Sequence, residues 1–181
     1  MDLRKQRTQN SIINAFIQLR AKKPLEKITI KELAELAYIN KATFYTYYQD
    51  IYDLNDQLED EVITTMLNDI PHPEYLLTNP KQSAKILMSA IHAQGSLFQT
   101  LFSSSRQGVL LEKLDTRLKE KVYLSHPEYK ESLDAQLILS VLIYGDFYAF
   151  LKHPKEDSNV IIEILGNINE CLVSNYTNKQ N

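Results

Sequence analysis

The sequence predicts an all-α chain, and three observations carry that prediction. Only 4 Gly and 6 Pro occur in 181 residues, too few to build the many tight turns of an all-β architecture. Apolar side chains recur at i, i+3 and i+4 in one segment after another, the period of an amphipathic helix. Thr29, Asn40 and Asp50 each stand immediately before such a segment, where a side-chain oxygen caps exposed backbone N–H groups. Hydrophobic residues at 44% and charged residues at 24% are the proportions of a globular chain. The length suits one ordinary domain or two small ones, with a core that needs neither disulfides nor metal.

Residues 8–22 place Ile12, Ile13, Phe16, Ile17 and Leu19 at helical spacing, and Lys22-Lys23-Pro24 ends that helix because the residue before proline avoids the α region. Thr29-Ile30-Lys31-Glu32 has the form of a capping box. A short helix over 30–37 follows, burying Ile30, Leu33, Ala34 and Ala37. Tyr38-Ile39 leads to Asn40, the cap of another short helix over 41–48. Asp50 caps a third, with Asp53 in its positive first turn. Leu54, Leu58, Val62 and Met66 recur every four residues along it, and Pro71-His72-Pro73 marks its end.

Further helices are predicted over 80–102, 106–124, 132–152 and 157–176, separated by Ser103-Ser104-Ser105, Ser125-His126-Pro127 and His153-Pro154. Leu137, Ile138, Leu139, Val141, Leu142, Ile143 and Tyr144 are apolar nearly all round their helix. Val160, Ile161, Ile162, Ile164, Leu165, Ile168 and Leu172 are similar. Such helices must be covered on more than one face, and in so small a chain a second subunit is the simplest cover. Gly145 reads as a close-packing residue in that interface.

Several function classes lose support. A single cysteine, Cys171, makes no intramolecular disulfide and reads as a small buried hydrophobe. The charged start Met1–Arg7 precedes no signal-peptide core, and no uninterrupted apolar run approaches the roughly 18 residues of a bilayer span. The expectation is a cytoplasmic protein without a membrane partner. His72, His92, His126 and His153 form no metal-binding pattern, and G-x-S-x-G, G-x-G-x-x-G and H-E-x-x-H are all missing, so neither an enzyme nor a cofactor is expected. Glu59-Asp60-Glu61 reads as a solvated helix face, and Ser103-Ser104-Ser105 with Arg106 as a solvated loop, an anion site being the lesser alternative.

The net charge of −3 hides an asymmetry: residues 1–50 hold nine Lys/Arg against five Asp/Glu, while the remainder holds eleven against eighteen. A basic end suggests a polyanionic partner. The two short helices in that end, preceded by a longer one, follow the helix-turn-helix plan. The second must be slim enough to enter a DNA major groove. Lys41, Ala42, Thr43, Tyr45, Thr46 and Tyr47 qualify, while Phe44 and Tyr48, four apart, turn inward. Thr29, Lys31, Lys27 and the arm Arg4, Lys5 and Arg7 supply phosphate donors.

Residues 7–54, about a quarter of the chain, resemble the DNA-binding domain of the TetR family of bacterial transcription regulators. The resemblance rests on Arg7-Thr8, Ile12-Ile13-x-Ala15-Phe16-x-x-Leu19, Ile28 to Ala37, Ile39 to Tyr48, and Asp53-Leu54. It implies an all-α homodimer: a DNA-binding domain over 1–53 and a C-terminal domain over 54–181 that binds an effector and dimerises through its last two helices. It further implies that Lys41 and Thr43 read bases or grip phosphate, that Tyr45 and Tyr47 meet the DNA backbone, and that Thr29 caps a helix and touches phosphate. Two positions depart from the family pattern. Tyr38 replaces the usual turn glycine, and Ile51 replaces a phosphate-binding lysine.

The remaining expectations concern residues 54–181. Candidate effector-pocket residues are His92, Phe98, Phe102, Tyr123, Tyr144, Phe147 and Tyr148. The candidate dimer interface is Leu137, Val141, Tyr144, Gly145, Ile161, Leu165, Ile168 and Leu172. The expected activity is repression from a near-palindromic operator, released by a small effector; the alternative is a C-terminal domain that docks a protein partner such as a co-activator.

Overall fold

The computed structural model describes residues 3–102, 106–153 and 156–177, with the side chains of His92, Ser96, Tyr176 and Thr177 outside the described residues. Ser103-Ser104-Ser105, Pro154 and the tail 178–181 therefore lie outside them too. Every regular element among the described residues is helical: the chain is all-α. In order these are α1 (Leu3–Arg20), a 3-10 turn (Leu25–Lys27), α2 (Ile30–Leu36), α3 (Lys41–Tyr45), α4 (Ile51–Asn68), α5 (Tyr75–Thr78), α6 (Pro80–Ala93), α7 (Gly95–Leu101), α8 (Gln107–Ser125), α9 (Glu128–Glu131), α10 (Leu133–Lys152) and α11 (Ser158–Thr177).

The chain divides into two compact units. The first comprises residues 1–62 and 95–106. In it α1 packs against α2 and α7, and α2 against α3. Ile12, Phe16, Leu33, Phe44 and Leu54 are fully buried, each contributing about 2 kcal/mol of apolar burial. The segment 95–106 is fastened by two arginines. The buried Arg20 donates from Nη2 to the carbonyls of Thr100 and Leu101, both at 3.1 Å, where the C-terminal end of α7 favours a cation. Arg106 donates from Nε to Glu59 Oε1 at 2.8 Å and from Nη2 to Glu59 Oε2 at 2.7 Å, and its Nη2 also meets Asp56 Oδ1 at 2.5 Å.

Glu59 is 0% exposed, so the expected solvated carboxylate face is corrected at this residue. Its i, i+4 neighbour Asn55 donates to Oε1 at 2.7 Å, and Arg106 brings the compensating charge. The arginine that the sequence offered to an external anion is thus engaged by two carboxylates of its own unit.

The second unit comprises residues 63–94 and 107–181. Here α6 packs along α11, α8 on α10, and α10 on α11. The close approach of α6 and α11 falls at Gly166, where an added Cβ would come within 3.1 Å of Lys81 Cγ. Gly145, the expected close-packing glycine, has nothing within 4 Å of such an atom inside the chain. One buried polar pair links α10 to α11: Asn169 Nδ2 donates to Asp146 Oδ2 at 2.7 Å. Burial pushes the Asp146 carboxyl up to about 6, only partly offset by that bond.

Three further expectations are corrected. The helix expected over 80–102 is two helices, α6 and α7, because Gly95 adopts φ +53°, a left-handed conformation open to glycine. Cys171 is exposed, since α11 turns Val173 inward instead. Leu165 is buried at 8% where Ile168 is 50% exposed, so Leu165 belongs to the chain's own packing. By length and composition α10 could cross a membrane, with a mean hydropathy of 1.3. A core helix meets the same test, and Ala135, Leu139, Ile143 and Phe147 are fully buried.

Candidate nucleic-acid interface

Three local caps shape the α2–α3 region, and each was legible as a cap. The Glu32 N–H donates to Thr29 Oγ1 at 3.3 Å. The reciprocal half of the expected box is not made, because the Glu32 carboxylate pairs with Lys23. At the start of α3, Asn40 Oδ1 accepts from the Thr43 N–H at 2.7 Å and from the Thr43 hydroxyl at 2.9 Å. At the start of α4 the second carboxylate reaches one residue further back. Asp50 Oδ1 accepts from the Asp53 N–H at 2.8 Å, and Asp53 Oδ2 accepts from the Gln49 N–H at 2.8 Å. The Gln49 N–H and the Gln57 amide hold the Asp53 carboxyl below the ordinary aspartate value.

Residues 37–40 join α2 to α3. The Ile39 N–H donates to the Ala34 carbonyl at 3.0 Å and the Tyr38 N–H to the Glu35 carbonyl at 3.3 Å. This paired pattern is a Schellman motif, whose middle residue must be left-handed. Tyr38 takes that conformation at φ +57°, the one non-glycine residue among those described with a positive φ. The missing glycine therefore leaves the left-handed turn in place. Ser11 of α1 donates its hydroxyl to the Ala37 carbonyl at 2.9 Å, pinning the end of α2.

On α3 and the turn after it, helical phase separates two sets of side chains. Phe44 is fully buried and Tyr48 nearly so, their rings 5.7 Å apart. Gln9 of α1 donates to the Tyr48 hydroxyl at 3.4 Å. Lys41, Ala42, Tyr45 and Thr46 are exposed, with Thr43 and Tyr47 half-buried. The Tyr45 ring stands edge-on to Phe44 at 5.7 Å and 82°. Tyr47 donates its hydroxyl to the Lys5 carbonyl at 3.3 Å. That bond holds the basic first turn of α1, with Arg4, Lys5 and Arg7 exposed, beside α3. Thr29, Lys27 and Lys31 are also exposed. Ile51 is buried, a core residue in place of a surface cation, whereas Tyr52 is half-exposed. Ser11 and the Lys5 carbonyl were missed, because a backbone acceptor far along the chain leaves no mark in a periodic pattern.

The effector candidates fall in both units. Phe98 and Phe102 are buried in the first unit, with rings 5.1 Å apart. Phe147 is buried in the second, while Tyr144 and Tyr148 are exposed. Tyr123 lines an open groove of ≈ 820 Å³ with Asp115, Lys119, Leu124 and Lys130. The His92 side chain lies outside the described residues.

The interface candidates fare differently. Leu137, Val141, Tyr144 and Gly145 on α10, and Ile168 and Leu172 on α11, are exposed; Ile161 is half-buried. Leu133, Tyr148, Val160 and Ile164 extend the same rows at near four-residue spacing. Among the described residues no cluster of His, Cys, Asp and Glu could hold a metal ion. Compared with protein-family models and with curated proteins, the chain matches none.

Proposed function

We propose that this chain is a homodimeric, DNA-binding transcription regulator of the TetR type, with α2 and α3 as a helix-turn-helix and α3 as the recognition helix. One observation carries the reading. Helix α3 is clamped from behind by Phe44 and Tyr48 and capped by Asn40, while Lys41, Ala42, Tyr45 and Thr46 face outward beside a basic turn of α1. A slim helix with small and polar outward residues and flanking cations is what a major groove admits and a phosphate backbone attracts. On this reading Lys41 and Thr43 address bases or the nearest phosphate, Tyr45 and Tyr47 the backbone, and Thr29 and Lys31 the phosphates beside α2.

Two copies would present two such helices to successive major grooves, about 34 Å apart. The exposed apolar rows of α10 and α11 supply a surface for self-association, since contiguous apolar area of this kind is rare on a monomer. Repression with release by a small effector is the mode suggested by the family resemblance. In the second reading the C-terminal unit docks a protein instead, on those exposed apolar rows. Neither version assigns catalysis to the chain.

Enrichment of random duplexes by the full-length protein tests the proposal. It expects a two-fold symmetric sequence with half-sites about one helical turn apart. Enrichment of no sequence would contradict it.

A further inference from the structure

Tyr38 combines two features that the fold does not repay. It holds the left-handed position of the Schellman turn at φ +57°, a conformation in which an L side chain is strained and glycine is not. Its side chain is 95% exposed, so the strain is not recovered by packing. Glycine would serve the turn better, and an exposed tyrosine contributes nothing to the core. Local strain of this kind clusters at functional sites.

The position of Tyr38 defines that role. It is two residues before Asn40, the cap of α3, and three before Lys41. The turn is anchored at both ends, by the Ala34 and Glu35 carbonyls on one side and by the bonds of Asn40 to Thr43 on the other. Tyr38 is thus an exposed aromatic on a rigid base at the entry to the proposed recognition helix, with the exposed Lys31 and Lys41 on the two helices it joins. A phenol there offers one O–H donor and a flat apolar face. A phosphodiester with its deoxyribose offers an anionic oxygen and an apolar ring edge.

Resting on the DNA-binding reading, we infer that Tyr38 is a further DNA-contacting residue. Its hydroxyl donates to a backbone phosphate flanking the groove that α3 enters, and its ring lies against the adjoining sugar. The left-handed turn aims the side chain away from its own domain and toward the strand.

Three forms of the full-length protein test this on a duplex enriched from a random library: wild type, Tyr38→Phe and Tyr38→Gly. Tyr38→Gly should melt at the same temperature as wild type or higher, yet bind about a hundredfold more weakly, because a homodimer loses the charge-assisted bond twice at about tenfold each. Tyr38→Phe should fall between them, and ethylation of a single flanking phosphate should weaken wild type but not Tyr38→Gly. A Tyr38→Gly protein that binds as tightly as wild type would overturn the inference while leaving the DNA-binding reading intact. A wild-type protein that enriches no duplex would overturn both.

Discussion

Asp146 is a single residue with a measurable consequence. Its carboxyl is buried and held up to about 6 against an ordinary 3.8, so the native state keeps a proton that the unfolded chain has already lost within that window. This group therefore makes a contribution to stability that falls as pH rises from about 4 to 6, by up to about 3 kcal/mol, and levels off above. In Asp146→Asn the amide oxygen can still accept from Asn169 without carrying charge. Urea unfolding across pH should show this variant losing that component of the slope and being the more stable protein at neutral pH; parallel pH profiles would contradict the assignment. At the same scale, Arg106→Ala should destabilise by about 3 kcal/mol, because it leaves the Glu59 charge buried without its bidentate partner. Chemical denaturation reads this directly, and a loss near zero would mean that Glu59 is compensated by another group.

At the scale of elements, what was legible followed from short-range chemistry. Thr29, Asn40 and Asp50 cap helices because a side-chain oxygen a few residues upstream is all that a first turn requires. Phe44 and Tyr48 turn inward for an equally local reason, their spacing of four. The break at Gly95 was not legible: Ile91, Phe98 and Leu101 continue the apolar period across it, and one glycine does not announce whether it will bend. Glu59 was misread because its partner Arg106 lies 47 positions away. Leu165 and Ile168 look alike in sequence, and only the phase of α11 against α6 and α10 separates buried from exposed. The outward face of α3 yields a clean test in Tyr45, which is 57% exposed. Tyr45→Ala should weaken DNA binding with little change in melting temperature, whereas Tyr47→Ala should lower both, since the Tyr47 hydroxyl holds the Lys5 carbonyl. An unstable Tyr45→Ala protein would move that ring from the interface to the core.

For the molecule as a whole, charge and apolar surface are segregated along the chain. The basic excess lies in residues 1–50, and the long exposed apolar rows lie on α10 and α11. A count of charges along the chain is enough to reveal the first, while the second needs the phase of each helix against its neighbours. The identity of an effector was not legible, because aromatic residues at helical spacing read alike whether they fill a core or line a cavity. Ile168→Glu should yield a folded monomer by sedimentation, since Ile168 is exposed within the chain; an unaltered dimer would displace the interface from this face. If α3 reads DNA, fluorescence anisotropy across a salt series will separate the enriched duplex from a scrambled one. Binding should be tight, selective and steeply weakened by salt, with a log–log slope that flattens by about two in Lys41→Ala, one for each subunit. Equal, weak binding to both duplexes, with a slope unchanged by Lys41→Ala, would contradict DNA reading by α3.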